Sequence, residues 1–559
     1  MLSLGILLPV LRPGYVLSYD MVFVPDLAFR TDFLGLGSGL PRAVPSDAVV
    51  SVLDELVPGQ VLEKVLLLAA LGLAGLGARR LVPSDDFVAQ LATTSLYVWN
   101  PFVAERLGIG HWPLLLTYAA LPWIYDAARR ARAGDPALPA LVLWLAVASL
   151  SPAGGVIATV FALTCVVGRG PIAVKRSLLV LCAALAVNAP WIVAGALHGN
   201  GALSDPRGFE AFAARSEGLL SLPLTVLGLG GIWNAEVVPP SRTGWAALVG
   251  VLAMLALGAA GSGRWRVLLP ARDRWALLVA AGAGLVVTLA GSLVPQLLVW
   301  LGSHVPGAGL LRDGSRFLAL LAPLAACLFG VGVSVVVQRV RAHAVRIAVT
   351  TALVLLPITF LPDLGFALGG RLHAVQFPEE YADTRGAIQE RLRERGGGDL
   401  LLLPFNSYRL PSWNEGRRSL DPLGRFMTPD YLSSDVLVVS GVAIAGEDER
   451  ARRVAELLEE GGSREALAQQ LAQEGISWVL LDKEAEEMVG GSVPTARFDG
   501  FPVVHEGRRL VVWELPDGAD TGTTPAARVA VWSAWSVAGT AVLLCGGLVA
   551  VRVTRARRP

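Results

Sequence analysis

Two aspartates lie near the beginning of the chain, in segment 14–26, which reads GYVLSYDMVFVPD. An apolar run separates Asp20 from Asp26. Low-dielectric surroundings raise the pKa of a carboxylate, and a carboxylate in such a place is suited to act as a general base. Asp20 is therefore our first candidate for a catalytic residue and Asp26 the second, with Arg30 as a candidate for substrate binding. The alternative is structural: Asp20 caps a loop helix or pairs with Arg30.

Two arginines close together form the second candidate site, in segment 306–317, which reads PGAGLLRDGSRF. Arg312 and Arg316 suit a phosphate group, because a guanidinium binds phosphate through two hydrogen bonds and stays charged at any relevant pH. We therefore predict that they bind a phosphate. The alternative is that they extend toward the interface with water, or that Arg312 pairs with Asp313.

Smaller signals come from amide, acidic and aromatic residues in short polar segments. Asn100 and Glu105 lie in one such segment, and Trp233 and Asn234 in another. These residue types suit a sugar, so we predict that they bind substrate; the alternative is ordinary loop structure. Segment 406–414 follows a predicted strand, where α/β proteins often bind ligands, although we favour a structural turn for it.

No spacing in the chain matches a metal site or an established catalytic motif. The six histidines are scattered, and the four cysteines fall in apolar stretches, where they act as small hydrophobic residues. The sequence contains no phosphate-binding Walker loop, dinucleotide-binding glycine motif or nucleophile elbow. No metal ligand set is therefore predicted.

The composition requires a lipid environment. Of 559 residues, 53% are hydrophobic and 17% charged, and the mean hydropathy is +0.56. The net charge of +1 carries no sign of nucleic-acid binding. Membrane lipids are therefore the expected surroundings.

A spanning helix needs about 17–25 mostly apolar residues. Clear candidates lie at about 61–78, 177–197, 244–262, 275–291, 316–338, 346–364 and 529–551.

Four further spans are predicted in the broken apolar stretch 86–168, which brings the count to about 11–12 when residues 2–11 are included. Residues 2–11 are too short to span alone, so we expect the outer half of a first helix; a half-inserted hairpin is the alternative. With this count, the arginine clusters that separate the spans fall on one side, which the positive-inside rule assigns to the cytoplasm. These clusters include Arg79/Arg80, Arg129/Arg130/Arg132 and the tail Arg552, Arg555, Arg557 and Arg558.

The same parity predicts a plasma-membrane protein with both termini in the cytoplasm. Residues 1–364 would form a transmembrane domain with outer loops at 12–60, 198–243 and 292–315. Residues 365–528 would form an exocytoplasmic α/β domain, and residues 529–559 a last span with a basic tail. Strands are predicted at 399–404, 477–482 and 510–514, and helices at 378–395 and, interrupted at 461–463, across 447–473.

This layout resembles the GT-C superfamily of membrane glycosyltransferases. Asp20 matches the early acidic residue of their first outer loop, with Asp26 as second choice, and segment 306–317 is similar to an arginine-serine-basic-phenylalanine pattern of bacterial GT-C and YfhO-like proteins. The actinobacterial arabinofuranosyl- and mannosyltransferases are the nearest in layout. The chain departs from the pattern because its first loop has no Asp-Asp or Glu-Asp pair.

The resemblance implies transfer of arabinofuranose or mannose from a polyprenyl-phosphate donor to an envelope glycan or glycolipid on the outer face, by an inverting reaction. Asp20 would be the general base, assisted by Asp26, and Arg312 and Arg316 would bind the donor phosphate. No cofactor is implied with certainty, and participation of a divalent cation stays open. The alternatives are a non-catalytic scaffold of the same fold and a lipid or glycan transporter.

Overall fold

The computed structural model describes residues 1–198, 204–460, 462–485, 497–516, 518 and 523–556. Part of the predicted outer loop 198–243, residues 199–203, lies outside this range, as do Gly461, in the predicted interruption between two helices, and Arg557 and Arg558 of the predicted cytoplasmic tail.

The described chain is mainly helical, with one mixed sheet near its C-terminal end. The α-helices are α1 Leu2–Leu7, α2 Ser46–Asp54, α3 Gly59–Ala78, α4 Phe87–Val98, α5 Pro101–Gly108, α6 Trp112–Arg132, α7 Leu138–Ala148, α8 Pro152–Val166, α9 Pro171–Leu197, α10 Pro206–Ala211, α11 Leu222–Leu227, α12 Trp245–Leu268, α13 Ala271–Leu293, α14 Pro295–His304, α15 Ala322–Gln338, α16 His343–Phe360, α17 Glu379–Arg395, α18 Leu423–Phe426, α19 Glu449–Glu459, α20 Arg464–Gln473 and α21 Pro525–Ala556. The strands are β1 Asp399–Leu403, β2 Tyr408–Arg409, β3 Ser419–Leu420, β4 Tyr431–Leu432, β5 Leu437–Val439, β6 Val442–Ile444, β7 Ile476–Asp482, β8 Val503–Glu506 and β9 Leu510–Glu514.

Six helices in the described part of the chain are long and apolar enough to cross a membrane, and a seventh span results if the bent pair Gly314–Leu320 and Ala322–Gln338 counts as one. These seven coincide with the seven clear candidates from hydropathy. The chain is therefore a multi-pass α-helical membrane protein. In the difficult stretch 86–168, helices α4, α6, α7 and α8 correspond to the four expected apolar runs, and the short α5 is an addition. The total of 11–12 spans stays a prediction.

The loops sort into two groups, one at each end of the spanning helices. At one end, Arg80 pairs with Asp126 at 3.0 Å and Arg129 with Asp273 at 2.9 Å, which joins loops that were predicted to be cytoplasmic. At the other end, the predicted outer loops contact the α/β region. These contacts agree with the predicted grouping of the loops; the full grouping, and which side faces the cytoplasm, stay predictions.

The sheet has the strand order β4-β1-β7-β9-β8, with β4, β1 and β7 parallel and β9 antiparallel to its neighbours. Successive side chains of a strand point to opposite faces. In β1, Leu400 and Leu402 therefore join the large core that continues into the membrane helices, whereas Leu401 and Leu403 join a second core under α19 and α20. The predicted strands and helices of this region are confirmed; the domain boundaries stay a prediction.

Glycines allow α12 and α15 to pack closely. A Cβ atom built on Gly332 of α15 would overlap the carbonyl oxygen of Leu257 in α12, whereas one built on Gly263 would meet nothing within 4 Å. Small residues at such crossings hold membrane helices together by close packing. We expect Gly332→Ala to destabilise the protein by about 1–3 kcal/mol. Thermal unfolding in detergent would show a lower midpoint than for the control Gly263→Ala, and equal midpoints would contradict the close packing.

Candidate active site

A tight turn over residues 18–21 presents Asp20. Ser18 and Met21 exchange backbone hydrogen bonds of 3.2 and 2.9 Å, and the Asp20 N–H donates to the Ile109 carbonyl at 3.2 Å. The Ser18 hydroxyl donates to the carbonyl of Gly108, the last residue of α5, at 2.7 Å. The turn is therefore fixed against the end of α5, which gives the Asp20 carboxylate a defined position.

The Asp20 carboxylate has two hydrogen-bond partners and an open face. The Tyr408 hydroxyl, from β2, donates to Oδ1 at 2.6 Å, and His111 Nε2 lies 3.1 Å from Oδ2. The Asp20 side chain is nevertheless 44% exposed. Since each carboxylate oxygen accepts about two hydrogen bonds, Asp20 keeps room for a further donor.

The ionisation of Asp20 differs from the sequence-based expectation. Removal from water would raise its pKa, but the hydrogen bonds from His111 and Tyr408 and the charge of Arg316 outweigh this effect and lower the pKa below its ordinary value. The expectation of a raised pKa was therefore wrong, because it considered only the apolar surroundings. Asp20 is ionised at neutral pH.

Behind His111 lies a buried network of charges. Arg106 Nη1 is 3.2 Å from His111 Nδ1 and donates to Asp313 Oδ2 at 3.2 Å. Asp313 also accepts from the Ser315 hydroxyl at 2.6 Å and from Arg316 Nε at 2.9 Å. The surrounding cations and this hydroxyl overcome the effect of burial and hold the pKa of Asp313 well below its usual range. The network links segment 313–316 to Asp20.

The two arginines predicted to bind phosphate have different partners. Arg316 pairs with Asp313 and keeps 33% of its side chain exposed. Arg312 lies over the ring of Phe212, 4.6 Å from its centroid, and approaches Glu447 at 3.5 Å. Burial lowers the pKa of Arg312 to about 10, with Arg42 and Arg316 adding to the effect, so the guanidinium stays charged at neutral pH. The alternative pairing of Arg312 with Asp313 is not the one observed.

Glu447, just before α19, is shared by two cations. Arg42 Nη2 donates to Glu447 Oε2 at 2.6 Å, and Ser204 and Arg312 approach Oε1 at 2.9 and 3.5 Å. The α/β region thus contributes both Glu447 and Tyr408 to this site. Arg316 is close enough to Asp20 to lower its pKa, and Arg42 and Arg316 both lower the pKa of Arg312; we call these three residues the arginine cluster.

Asp26 and Arg30 have other partners than Asp20. Asp26 is 65% exposed and pairs with Arg385 of α17 at 2.6 Å. Arg30 is buried, donates to the Gly424 carbonyl at 2.6 Å and lies near Asp32 at 3.2 Å. Both residues fasten the first loop to the α/β region, and the alternative pairing of Asp20 with Arg30 is not formed.

Four further candidates have structural contacts. Asn100 is buried and caps α5 by accepting from the Val103 N–H at 3.1 Å. Glu105 is buried and accepts from the Ile232 N–H at 3.2 Å; burial and the neighbouring Glu217 raise its pKa well above the ordinary value.

Asn234 accepts from the Glu236 N–H at 3.0 Å, and the Trp233 ring packs edge-on against Phe212, with centroids 4.6 Å apart. The Phe212 ring also contacts Arg312. Of Asn100, Glu105, Trp233 and Asn234, we therefore associate Trp233 with the arginine cluster, through its contact with Phe212.

Sequence reasoning missed His111, Arg106, Tyr408 and Glu447. His111 was one of six scattered histidines, and Tyr408 was part of the segment after β1 that was open to a ligand or turn interpretation. Their relation to Asp20 has no sequence signal because they lie between 86 and 427 residues away along the chain. As to a divalent cation, no three His, Cys, Asp or Glu side chains within the described ranges are grouped so as to hold one.

Comparisons with known proteins bear on the fold. No protein-family model matches the sequence, and no curated protein matches it significantly. The cryo-EM structure of the arabinofuranosyltransferase AftD from Mycobacteria is similar over 93% of this chain, with a TM-score of 0.53 and 15% identity. A mutant of that enzyme gives 0.51 and 16% over 93% of this chain and 41% of that one.

The chain spans 39% of the length of the AftD chain. The archaeal oligosaccharyltransferase AglB from Archaeoglobus fulgidus gives a TM-score of 0.37 at 13% identity, with 86% of this chain and 68% of that one covered, which is too low to support an argument. The similarity to AftD covers both the helical part and the α/β region of this chain, since 93% of it is matched. The chain therefore shares the fold of the matching part of the AftD structure.

Proposed function

We propose that this protein is a membrane glycosyltransferase. It transfers a sugar, arabinofuranose or mannose, from a polyprenyl-phosphate donor to a glycan or glycolipid of the cell envelope. The observation that carries the proposal is the Asp20 carboxylate, which is ionised, has an open face and adjoins the arginine cluster on a GT-C-type fold. An anionic acceptor of protons beside fixed cations is the pair of groups that this reaction needs.

The reaction follows from these two groups. The acceptor hydroxyl donates a hydrogen bond to the open face of Asp20, and its oxygen attacks the anomeric carbon of the donor sugar. The bond between that carbon and the phosphate oxygen breaks, the polyprenyl phosphate leaves with the bonding electrons, and Asp20 takes the hydroxyl proton. Arg312 and Arg316 stabilise the charge that develops on the departing phosphate. Attack opposite the leaving group inverts the anomeric configuration.

The surroundings complete the proposal. The active site and the α/β region lie on the outer face of the plasma membrane, with both termini in the cytoplasm, and the polyprenyl chain stays among membrane lipids and apolar helix surfaces. Residues 365–528 form the outer domain between the transmembrane domain 1–364 and the last segment 529–559. Asp26, Arg30, Asn100, Glu105, Trp233 and Asn234 remain candidates as first predicted, although their contacts favour structural roles for all but Trp233.

The two alternatives are less well supported. A non-catalytic scaffold of this fold needs no accessible carboxylate, whereas Asp20 is both accessible and adjacent to cations. A transporter needs a polar path through the bilayer. The polar network described here instead joins the turn over residues 18–21 to α5 and to segment 313–316.

Donor binding by Arg312 tests the proposal. We expect Arg312→Ala to weaken binding of decaprenyl-phosphate arabinose or polyprenyl-phosphate mannose by about 10- to 100-fold. A hydrogen bond to a charged group contributes about 1.5–3 kcal/mol, and each 1.4 kcal/mol is tenfold in affinity. The measurement is binding and turnover by the purified protein in detergent.

The matched control is Arg207→Ala, because Arg207 is exposed and pairs with Asp205. Equal donor affinity in both variants would contradict the assignment of Arg312. The proposed function itself would be contradicted if the wild-type protein neither bound nor used decaprenyl-phosphate arabinose or polyprenyl-phosphate mannose.

A further inference from the structure

The imidazole ring of His111 lies between the Arg106 guanidinium and the Asp20 carboxylate. These two neighbours determine which ring nitrogen carries the hydrogen. Nδ1 is 3.2 Å from Arg106 Nη1, and Nε2 is 3.1 Å from Asp20 Oδ2. A guanidinium can only donate hydrogen bonds, so Nδ1 must accept and is unprotonated. The hydrogen of the neutral ring is therefore on Nε2, from which it is donated to Asp20.

Arg106, which contacts Nδ1 of His111, is itself held in place. Arg106 is buried, with 1% of its side chain exposed, and is held by Asp313 at 3.2 Å and by the Ser315 hydroxyl. Buried ion pairs resist rearrangement, because removing either partner leaves an uncompensated charge in a medium of low dielectric. Arg106 therefore cannot turn away to release Nδ1, and the orientation of the imidazole is determined.

We propose that His111 is the positioning residue for Asp20: the neutral imidazole, locked by Arg106 and Asp313, holds Oδ2 so that the open face of the carboxylate meets the acceptor hydroxyl. This role rests on the proposed glycosyl transfer. It differs from a proton shuttle, because His111 neither gains nor loses a proton during the reaction. The proton of the acceptor goes to Asp20.

Charged and titratable groups from four parts of the chain meet at the contact between His111 and Asp20. They are Asp20 of the first loop, Arg106 of α5, Asp313 just before the bent span with Arg316 in its first helical segment, and Tyr408 of β2. Burial lowers the pKa of His111 below its ordinary value; Asp20 opposes this effect, and Arg316 and Arg106 add to it. His111 therefore stays neutral at neutral pH, which agrees with the hydrogen-bond pattern.

The consequence is a defined change in the pH profile. A donor hydrogen bond favours the ionised form of Asp20, so its removal raises the Asp20 pKa. A general base is active only when ionised, and the acid limb of the pH–kcat profile therefore moves to higher pH. For the loss of one hydrogen bond to a charged group we expect a shift of about one pH unit, together with a fall in kcat of about 10- to 100-fold.

Glutamine and alanine at position 111 separate the possible roles. In His111→Gln the amide N–H can donate to Asp20 while the amide oxygen accepts from Arg106, which reproduces the neutral imidazole without its ionisation. We expect His111→Gln to keep kcat within about threefold and the acid limb in place. We expect His111→Ala to show the fall in kcat and the shift of the acid limb described above. Its affinity for the donor should stay unchanged, because neither His111 nor Asp20 binds the phosphate in the proposed reaction. Loss of activity in His111→Gln comparable to that in His111→Ala would overturn the proposal in favour of a proton shuttle.

A second measurement does not depend on activity. Wild-type protein labelled with 15N-histidine, with His111→Gln used to assign the signal, reports the state of each ring nitrogen by NMR. We expect His111 to show a protonated Nε2 and an unprotonated Nδ1, unchanged at pH 6. A ring protonated on both nitrogens, or on Nδ1, would overturn the proposal even if transfer is observed. The expected tautomer in a protein that transfers no sugar would contradict the proposed function alone.

Discussion

Asp20→Asn is expected to reduce sugar transfer by about 100- to 10,000-fold, the range typical for loss of a positioned general base. The amide keeps the size of the carboxylate and can still accept from Tyr408 or His111, so the turn over residues 18–21 should be preserved. It cannot take the acceptor proton. Turnover should therefore collapse while donor binding, which depends on the arginine cluster, stays close to that of the wild type.

Asp26→Asn is the informative comparison for this result. Asp26 is exposed and pairs with Arg385, so we expect its replacement to weaken one surface ion pair, which contributes about 0–1 kcal/mol, and to leave most of the activity. The measurement is single-turnover transfer from decaprenyl-phosphate arabinose or polyprenyl-phosphate mannose at saturating donor. Activity that survives in Asp20→Asn would refute the assignment of the base, and a collapse in Asp26→Asn alone would transfer the role to Asp26.

Asp313→Asn is expected to have the largest effect on stability. Asp313 is the anion shared by Arg106 and Arg316, and both Arg106 and Asp313 are buried. Removing one partner of a buried pair typically costs about 3–5 kcal/mol, because the remaining charge is left without compensation. The apparent midpoint of thermal unfolding in detergent should fall accordingly. The control is Asp135→Asn, since the pair of Asp135 with Arg130 is exposed on both sides and should contribute little.

The contribution of Asp313 also has a defined pH dependence. Its pKa is lower in the folded protein than in the unfolded chain, so the unfolded state binds the proton more readily. The stabilisation is therefore fully present above the ordinary aspartate pKa of about 3.9 and is lost only as the pH falls toward the lower folded value. The difference in midpoint between wild type and Asp313→Asn should be constant from pH 7 to about 5 and shrink below about 4. A difference that disappears near neutral pH would contradict the buried ion pair.

These two predictions probe one connected structure. Asp313 holds Arg106, Arg106 contacts His111, and His111 contacts Asp20. In the proposed reaction, segment 313–316 would therefore support the base and would also supply Arg316 to the donor phosphate. This connection explains why an arginine-rich segment some 290 residues from the first loop belongs to the same site. Stability and catalysis are therefore coupled at Asp313, whereas Asp20→Asn should leave the unfolding midpoint nearly unchanged.

The sequence by itself determined the spanning helices and the elements of the α/β region. Six of the seven apolar runs became helices long enough to cross a membrane, and the seventh became the bent pair Gly314–Leu320 and Ala322–Gln338. The strands Asp399–Leu403, Ile476–Asp482 and Leu510–Glu514 lie where their patterns predicted them. Both properties are local: the length of an apolar run decides whether a helix can cross a membrane, and the period of the side chains decides between helix and strand. The position of Asp20 in a loop beside apolar residues is also a local property, so the sequence showed it as well.

Only the tertiary structure decided how the candidate residues are grouped. Asp20, Arg106, His111, Asp313 and Tyr408 come from four distant parts of the chain, and no spacing relates them. The direction of the Asp20 pKa shift depended on donors supplied by two of these parts. Likewise, only the tertiary structure showed that Asp26 pairs with Arg385 of α17 and not with the partners of Asp20. The charge state and open face of a carboxylate depend on neighbours within a few ångströms, and in this protein folding alone brings those neighbours together.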